Sequence, residues 1–142
     1  MKVIIAADNN GFDLKEKLKA LFLEKGFQVT DKTEENDCDF VEAASRVAKA
    51  MQNGEGDRGI VIDEFGAGSF MTATKFKNIV CAQVSDEHSA KMTRDHNNTS
   101  IITMGAGIVG ETLAKEIALK FIESEYSGGR HQVRVDMLNK LA

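Results

Sequence analysis

The chain has 142 residues, 42% hydrophobic and 28% charged, with a formal net charge of −4 at pH 7. That is the size of one ordinary α/β domain with a sizeable core, and the acidic balance excludes a broad nucleic-acid surface while leaving room for a small basic pocket. No apolar run approaches a membrane span, and no basic stretch followed by a long apolar one opens the sequence, so a single domain over residues 1–142, cytoplasmic and without a membrane partner, is expected.

Lys2–Ala7, with Val3, Ile4 and Ile5 in a row, reads as a buried strand. Asp8-Asn9-Asn10-Gly11 follows it, either as an Asx-rich turn into a helix or as a polar loop for substrate hydroxyls. Leu14, Leu18, Leu21 and Phe22 keep helical spacing, with Asp13 and Glu16 as a capping box and Gly26 as the stop. Phe27–Asp31 reads as a second strand. Asp39 is placed to cap the next helix, with Glu42 reaching back. Phe40, Ala44, Val47, Ala48 and Met51 form its apolar stripe, and Asn53-Gly54 ends it.

Gly59–Ile62 is the third predicted strand. It runs into Asp63-Glu64-Phe65-Gly66-Ala67-Gly68-Ser69, ahead of a short helix around Phe70–Lys75. Backbone N–H groups at Gly66 and Gly68 would suit an anion. The third glycine of a dinucleotide fingerprint and the Lys-Ser/Thr of a P-loop are both absent, and a tight turn without ligand is the competing reading.

Ile79–Gln83 and Ile101–Met104 read as the fourth and fifth strands, with a helix over Asp86–Asp95 between them. That helix ends in Arg94-Asp95-His96-Asn97-Asn98. An imidazolium at a helix terminus and a capping asparagine would explain His96 and Asn97 structurally. An acid/base imidazole beside two amides also suits work on sugar hydroxyls, and this reading is preferred. His88, eight residues earlier, is expected on the surface.

Leu113, Ile117 and Phe121 stripe a further helix, and a last one is expected from about Arg130 to Leu141. Arg130 and Arg134, four apart, would present paired guanidiniums to a phosphate, with His131 beside them. A solvated basic face or a subunit contact is the alternative. Gly128-Gly129 lets the chain redirect into this arm. Cys38 and Cys81 have no metal-ligand spacing, and a disulfide between them is not expected in the cytosol.

Strands separated by helices imply right-handed crossovers. The expected fold is a three-layer, Rossmann-like five-stranded parallel sheet with helices on both faces and the C-terminal helix as a subunit-contact arm. In such a sheet ligands bind at the carboxyl ends of the strands. Asp8 and the 63–70 loop fall there, whereas His96 lies at a helix end before a strand.

Four stretches together resemble the ribose-5-phosphate isomerase type B family, and within it the galactose-6-phosphate isomerase branch. They are Ile4–Asp8 with Gly11, Ile60–Asp63 with Gly66–Met71, Thr93–Asn98, and Tyr126–Leu138. The resemblance spans the chain. It implies interconversion of a phosphorylated aldose and ketose, galactose 6-phosphate and tagatose 6-phosphate, with no metal or organic cofactor. By the same resemblance, His96 opens the sugar ring, Asn97 holds a hydroxyl, and Arg130 and Arg134 hold the phosphate; the Asp8-Asn9 turn and the N–H groups of Gly66 and Gly68 remain candidates for binding substrate from the residues alone. The chain also departs from the family. The catalytic base stands in family members at the position of Phe65 or of Met71, and neither residue accepts a proton. A loop threonine becomes Ala67, a histidine becomes Asn9, and a phosphate-binding arginine becomes Gly107. The family site lies between two subunits, so the resemblance implies a chain that supplies the histidine to a site whose base comes from a homologous B subunit. Self-pairing when alone is the other oligomer it allows.

Three other readings compete. One is a sugar-phosphate-binding paralogue without chemistry. Another is a homo-oligomeric pentose- or hexose-phosphate isomerase using Glu64 as base. The last is a receiver domain built on Asp8 and Asp63, which lacks the lysine expected after the fifth strand, where Gly105-Ala106-Gly107 stands.

Overall fold

The structure, a computed structural model, describes residues 1–141. Five strands, β1 (Lys2–Ala7), β2 (Gln28–Asp31), β3 (Arg58–Asp63), β4 (Cys81–Gln83) and β5 (Ile101–Gly105), form one parallel sheet in the order β2-β1-β3-β5-β4. The helices are α1 (Phe12–Glu24), α2 (Phe40–Gln52), α3 (Ala67–Ala73), α4 (Glu87–Asn97), α5 (Glu111–Glu123) and α6 (Gln132–Lys140), the last preceded by a 3-10 turn at Gly129–His131. Both faces of the central strands are buried, which is why β1 and β3 are continuous apolar runs rather than alternating ones. Val3, Ile5, Ile60, Ile62 and Ile102 pack under α1, α4 and α5, while Ile4, Ala6, Val61 and Ile101 pack under α2 and α3. The three-layer α/β architecture expected from the sequence is the one observed. Among the described residues no helix is long and apolar enough to cross a membrane.

Several local expectations change. Helix α1 starts earlier than a capping box at Asp13 would require: its N-cap is Gly11, and Asp13 lies in the first turn. Gly11 is obligatory there because a Cβ would overlap the carbonyl of Ile62. Asp39 does cap α2, accepting the Glu42 N–H at 2.9 Å, but the Glu42 side chain pairs with Arg46 instead of reaching back. Phe40 is exposed along the ridge above Gly68, and Ala43 and Ala50 take buried places on α2. Helix α4 continues to Asn97, which puts His96 and Asn97 in its last turn. The final segment breaks in two, so Arg130 lies in the 3-10 turn and Arg134 in α6.

One buried charge holds the β1–β2 side of the sheet together. Lys15 is fully buried; its ammonium donates to Asp31 Oδ2 at 2.8 Å and to the Thr33 carbonyl at 2.7 Å, and lies 4.1 Å from the centre of the Phe12 ring. Burial pushes the Asp31 carboxyl up, but Lys15, the Thr33 N–H and Lys19 outweigh it and hold it below the ordinary carboxylate value. Thr33 Oγ1 in turn accepts the Ala7 N–H at 2.9 Å. The lysine thereby ties the ends of both strands together one residue before Asp8.

Candidate functional site

The sequence-predicted site residues gather at two opposite edges of the sheet. At the carboxyl edge, Asp8 is buried at the end of β1, where Oδ1 accepts the Gly11 N–H at 3.0 Å. Burial raises its carboxyl above the ordinary value; the Gly11 N–H opposes this, and the neighbouring Asp63 adds to it. Asn9 Oδ1 accepts from Asn36 Nδ2 at 2.8 Å.

Asp63, also buried, ends β3 and folds over the glycine turn. Its carboxylate accepts the N–H of Gly66 and, at 3.0 Å, that of Ser69. The Gly66 N–H is therefore aimed at a side chain of its own loop rather than at an incoming anion. Gly66 takes φ of 79°, which closes the turn, and its carbonyl accepts the Thr103 hydroxyl at 2.7 Å. Gly68 lies beneath the Phe40 ring. Phe65 and Met71 are each 60% exposed, two apolar side chains facing outward. The Glu64 carboxylate lies against the 105–107 loop, so closely that a Cβ on Gly107 would overlap Oε1.

The amino edge is built differently. Helix α4 runs antiparallel to the strands, so its C-terminus emerges where β5 begins. Asn98 caps it in the left-handed region, φ 52°, a conformation asparagine tolerates better than most residues. Arg94 is buried beneath this turn, donating to the Thr99 carbonyl and to Asn98 Oδ1 at 2.6 Å each. Burial, with Arg58 nearby, lowers its guanidinium to about 10. Asn97 is held by Thr93, whose hydroxyl donates to Asn97 Oδ1 at 3.0 Å.

The arm comes back over this helix end. The Ser127 N–H donates to the Asp95 carbonyl at 2.9 Å, and the His131 ring stacks on His96 with centroids 4.3 Å apart. Burial, then His96, Arg130 and Arg134, hold His131 below the ordinary imidazole value, so both arginines act on the same stack. Arg130, in the 3-10 turn, and Arg134, in α6, lie on the same arm as His131. The His96–His131 contact was not visible in the sequence, because it depends on how the Gly128-Gly129 bend folds.

Five residues of β5 at about 3.3 Å each separate the two edges by roughly 17 Å. No single copy of the chain brings His96 beside Asp8 or the 63–69 loop. Between the edges, along the open side of β4, runs a groove of about 710 Å³ lined by Phe70, Thr74, Cys81, Gln83, Asn97 and Leu138 among others. Val133, Met137, Leu138 and Leu141 are exposed on and just beyond α6. Burial pushes the Cys81 thiol up to about 12 and also raises that of Cys38, so neither is poised as a thiolate. Among the described residues no group of three or more His, Cys, Asp or Glu side chains is arranged to hold a metal ion.

Comparison with known proteins places this geometry in context. Residues 3–138 match the family model described as Ribose/Galactose Isomerase. Over 141 residues, 99% of this chain and 99% of the relative, the chain is 55% identical to the galactose-6-phosphate isomerase subunit LacA of Clostridium acetobutylicum. It is 55% identical over the same length to the protein of that name from Staphylococcus aureus. Among solved structures, the ribose-5-phosphate isomerase B of Clostridium thermocellum superposes with a TM-score of 0.95 at 34% identity, covering 99% of this chain and 97% of that one.

Proposed function

The chain belongs to the ribose/galactose isomerase family, and from that premise we propose that it is the A-type subunit of a galactose-6-phosphate isomerase, supplying the ring-opening acid to a site whose base comes from a homologous B subunit. The observation that carries this reading is the separation of its polar chemistry. His96, Asn97, Arg130 and Arg134 lie at or beside the amino edge, and Asp8 with the 63–69 loop at the carboxyl edge, where exposed Phe65 and Met71 leave no proton acceptor. A site assembled from the amino edge of this chain and the carboxyl edge of a partner would be complete. One assembled from two copies of this chain would lack its base.

In the complete site the arginine pair binds the phosphate through charge-assisted hydrogen bonds. His96 protonates the ring oxygen of the cyclic sugar as the bond from that oxygen to C1 breaks, and the C1 hydroxyl gives its proton to solvent and becomes the carbonyl. The partner's base then removes the proton from C2, giving an enediolate with its charge on O1; O1 takes up a proton, O2 gives one up, and the base returns its proton to C1 as O2 becomes the carbonyl of the ketose. The Asn97 amide is placed to hold a hydroxyl or the developing enediolate charge. The exposed apolar residues of α6 and the groove beside β4 are the surface for the partner.

The test is an isomerase assay on galactose 6-phosphate with the chain alone and mixed with the B subunit. Activity is expected only in the mixture. Comparable turnover by the pure chain overturns the division of labour, and a mixture that binds sugar phosphate without turnover leaves a non-catalytic binding protein.

A further inference from the structure

Resting on that reading of His96, we propose that His131 is its positioning residue: stacked on the ring opener, it fixes the plane of that imidazole. The planes of the two rings lie within 15° of each other at a centroid separation of 4.3 Å. An imidazole on a helix surface turns broadly about its outer torsion. A flat neighbour in van der Waals contact removes that freedom, and an acid that must meet one sugar oxygen gains from the restriction.

The contact has a supporting frame. Gly128 and Gly129 take φ of 65° and 58°, two successive positive values that side chains rarely adopt, and they bring the arm back across α4. The Ser127 N–H bonds the Asp95 carbonyl on one side of the bend. On the other, the Tyr126 hydroxyl donates to Gln132 Oε1 at 2.8 Å, and Gln132 Nε2 donates to Asp136 Oδ1 at 2.7 Å. The residues flanking the 3-10 turn are thus tied both to α4 and to α6.

The charges around the pair are one-sided. The arm contributes Arg130 and Arg134. Helix α4 contributes Arg94, turned toward Asn98 and Thr99, and Asp95, whose carboxylate is paired with Lys91. Among the described residues no carboxylate forms an ion pair with either imidazole. Burial, His96 and the arm's two arginines hold His131 below its ordinary imidazole value.

The decisive experiment is steady-state kinetics of the mixed enzyme, with a His131→Phe variant, which keeps the flat ring, set against His131→Ala. In the mixed enzyme His131→Phe should keep kcat within about threefold, whereas His131→Ala should lower kcat roughly tenfold with KM nearly unchanged. Equal loss of kcat in His131→Phe and His131→Ala, or no loss in either, overturns the proposal. So does a His131→Ala variant that changes KM alone, which would mark His131 as a phosphate ligand. Normal turnover with His96→Ala would overturn the ring-opening reading instead.

Discussion

The two edges of the sheet carry opposite chemistry. The amino edge gathers His96, His131, Arg130 and Arg134 around one helix end, with carboxylates either absent from the stack or paired elsewhere. The carboxyl edge gathers Asp8, Asp63 and Glu64 around a loop that displays Phe65 and Met71. The first surface carries two guanidiniums and suits an anionic ligand; the second carries three carboxylates and does not. In an α/β sheet the carboxyl edge is the usual place for a ligand. Here the general rule points to the acidic edge, while the basic groups gather at the opposite one.

The comparison is broken most directly at the amino edge. Replacing His96 with Ala in the mixed enzyme should lower turnover of the cyclic sugar by about 10²–10⁴. The base on the partner cannot compensate, because it acts only after the ring has opened. Steady-state kinetics at saturating substrate measures this, with His88→Ala, one exposed position on the same helix, as the nearly silent control.

At the carboxyl edge the largest expected effect is on stability rather than on chemistry. Lys15→Met removes the main counter-charge of buried Asp31 and the donor to Thr33, leaving Lys19 as the remaining cation. Breaking a buried pair from one side costs about 3 kcal/mol at the low end of the measured range, read as a shift in a denaturant midpoint. Asp31 sets the sign of the pH dependence. Its folded value lies below its unfolded one, so its contribution is present above the unfolded value and is lost as pH falls through the folded one. The native chain should therefore lose stability below about pH 4, and the variant should lose less over the same range.

Smaller effects sharpen the contrast. Arg130→Ala or Arg134→Ala should weaken sugar-phosphate binding by about 1.5–3 kcal/mol, the value of a hydrogen bond to a charged group, with kcat little changed. A titration calorimeter reads this on the mixed protein. Unaltered affinity in both variants would return the pair to an ordinary basic surface.

The architecture was legible because burial on both faces writes itself into composition: Val3–Ala7 and Ile60–Ile62 are apolar without alternation, and Leu14, Leu18 and Phe22 recur at helical spacing. What was not legible depends on contacts distant in sequence. Asp13 and Glu16 satisfy the pattern of a capping box, yet the close approach of Gly11 to Ile62 starts the helix earlier. Lys15 follows Leu14 in the sequence, and it is the position of Asp31, sixteen residues away, that makes it a core residue. The same holds at the site. His96 and Arg130 were marked by residue type, whereas the stacking of His131 on His96 follows from two consecutive glycine dihedrals that no spacing encodes.

The smallest expected effect tests whether the carboxyl edge is as inactive as its residues imply. Glu64 is the one exposed-edge carboxylate beside Phe65 that a homo-oligomeric enzyme would recruit as base. Its side chain lies across Gly107, and its backbone carbonyl accepts the Gly107 N–H at 2.8 Å, so both parts of the residue are committed to the 105–107 loop. The neighbouring Phe65 is exposed, in the bend that follows β3. Glu64→Gln keeps the shape and the hydrogen-bonding reach while removing the basic carboxylate. Turnover by the mixed enzyme should stay within about twofold, the range expected when no transition-state contact is lost. A fall in kcat of a hundredfold or more, with the phosphate affinity intact, would make Glu64 the proton acceptor and turn the carboxyl edge of this chain into a working half of the site.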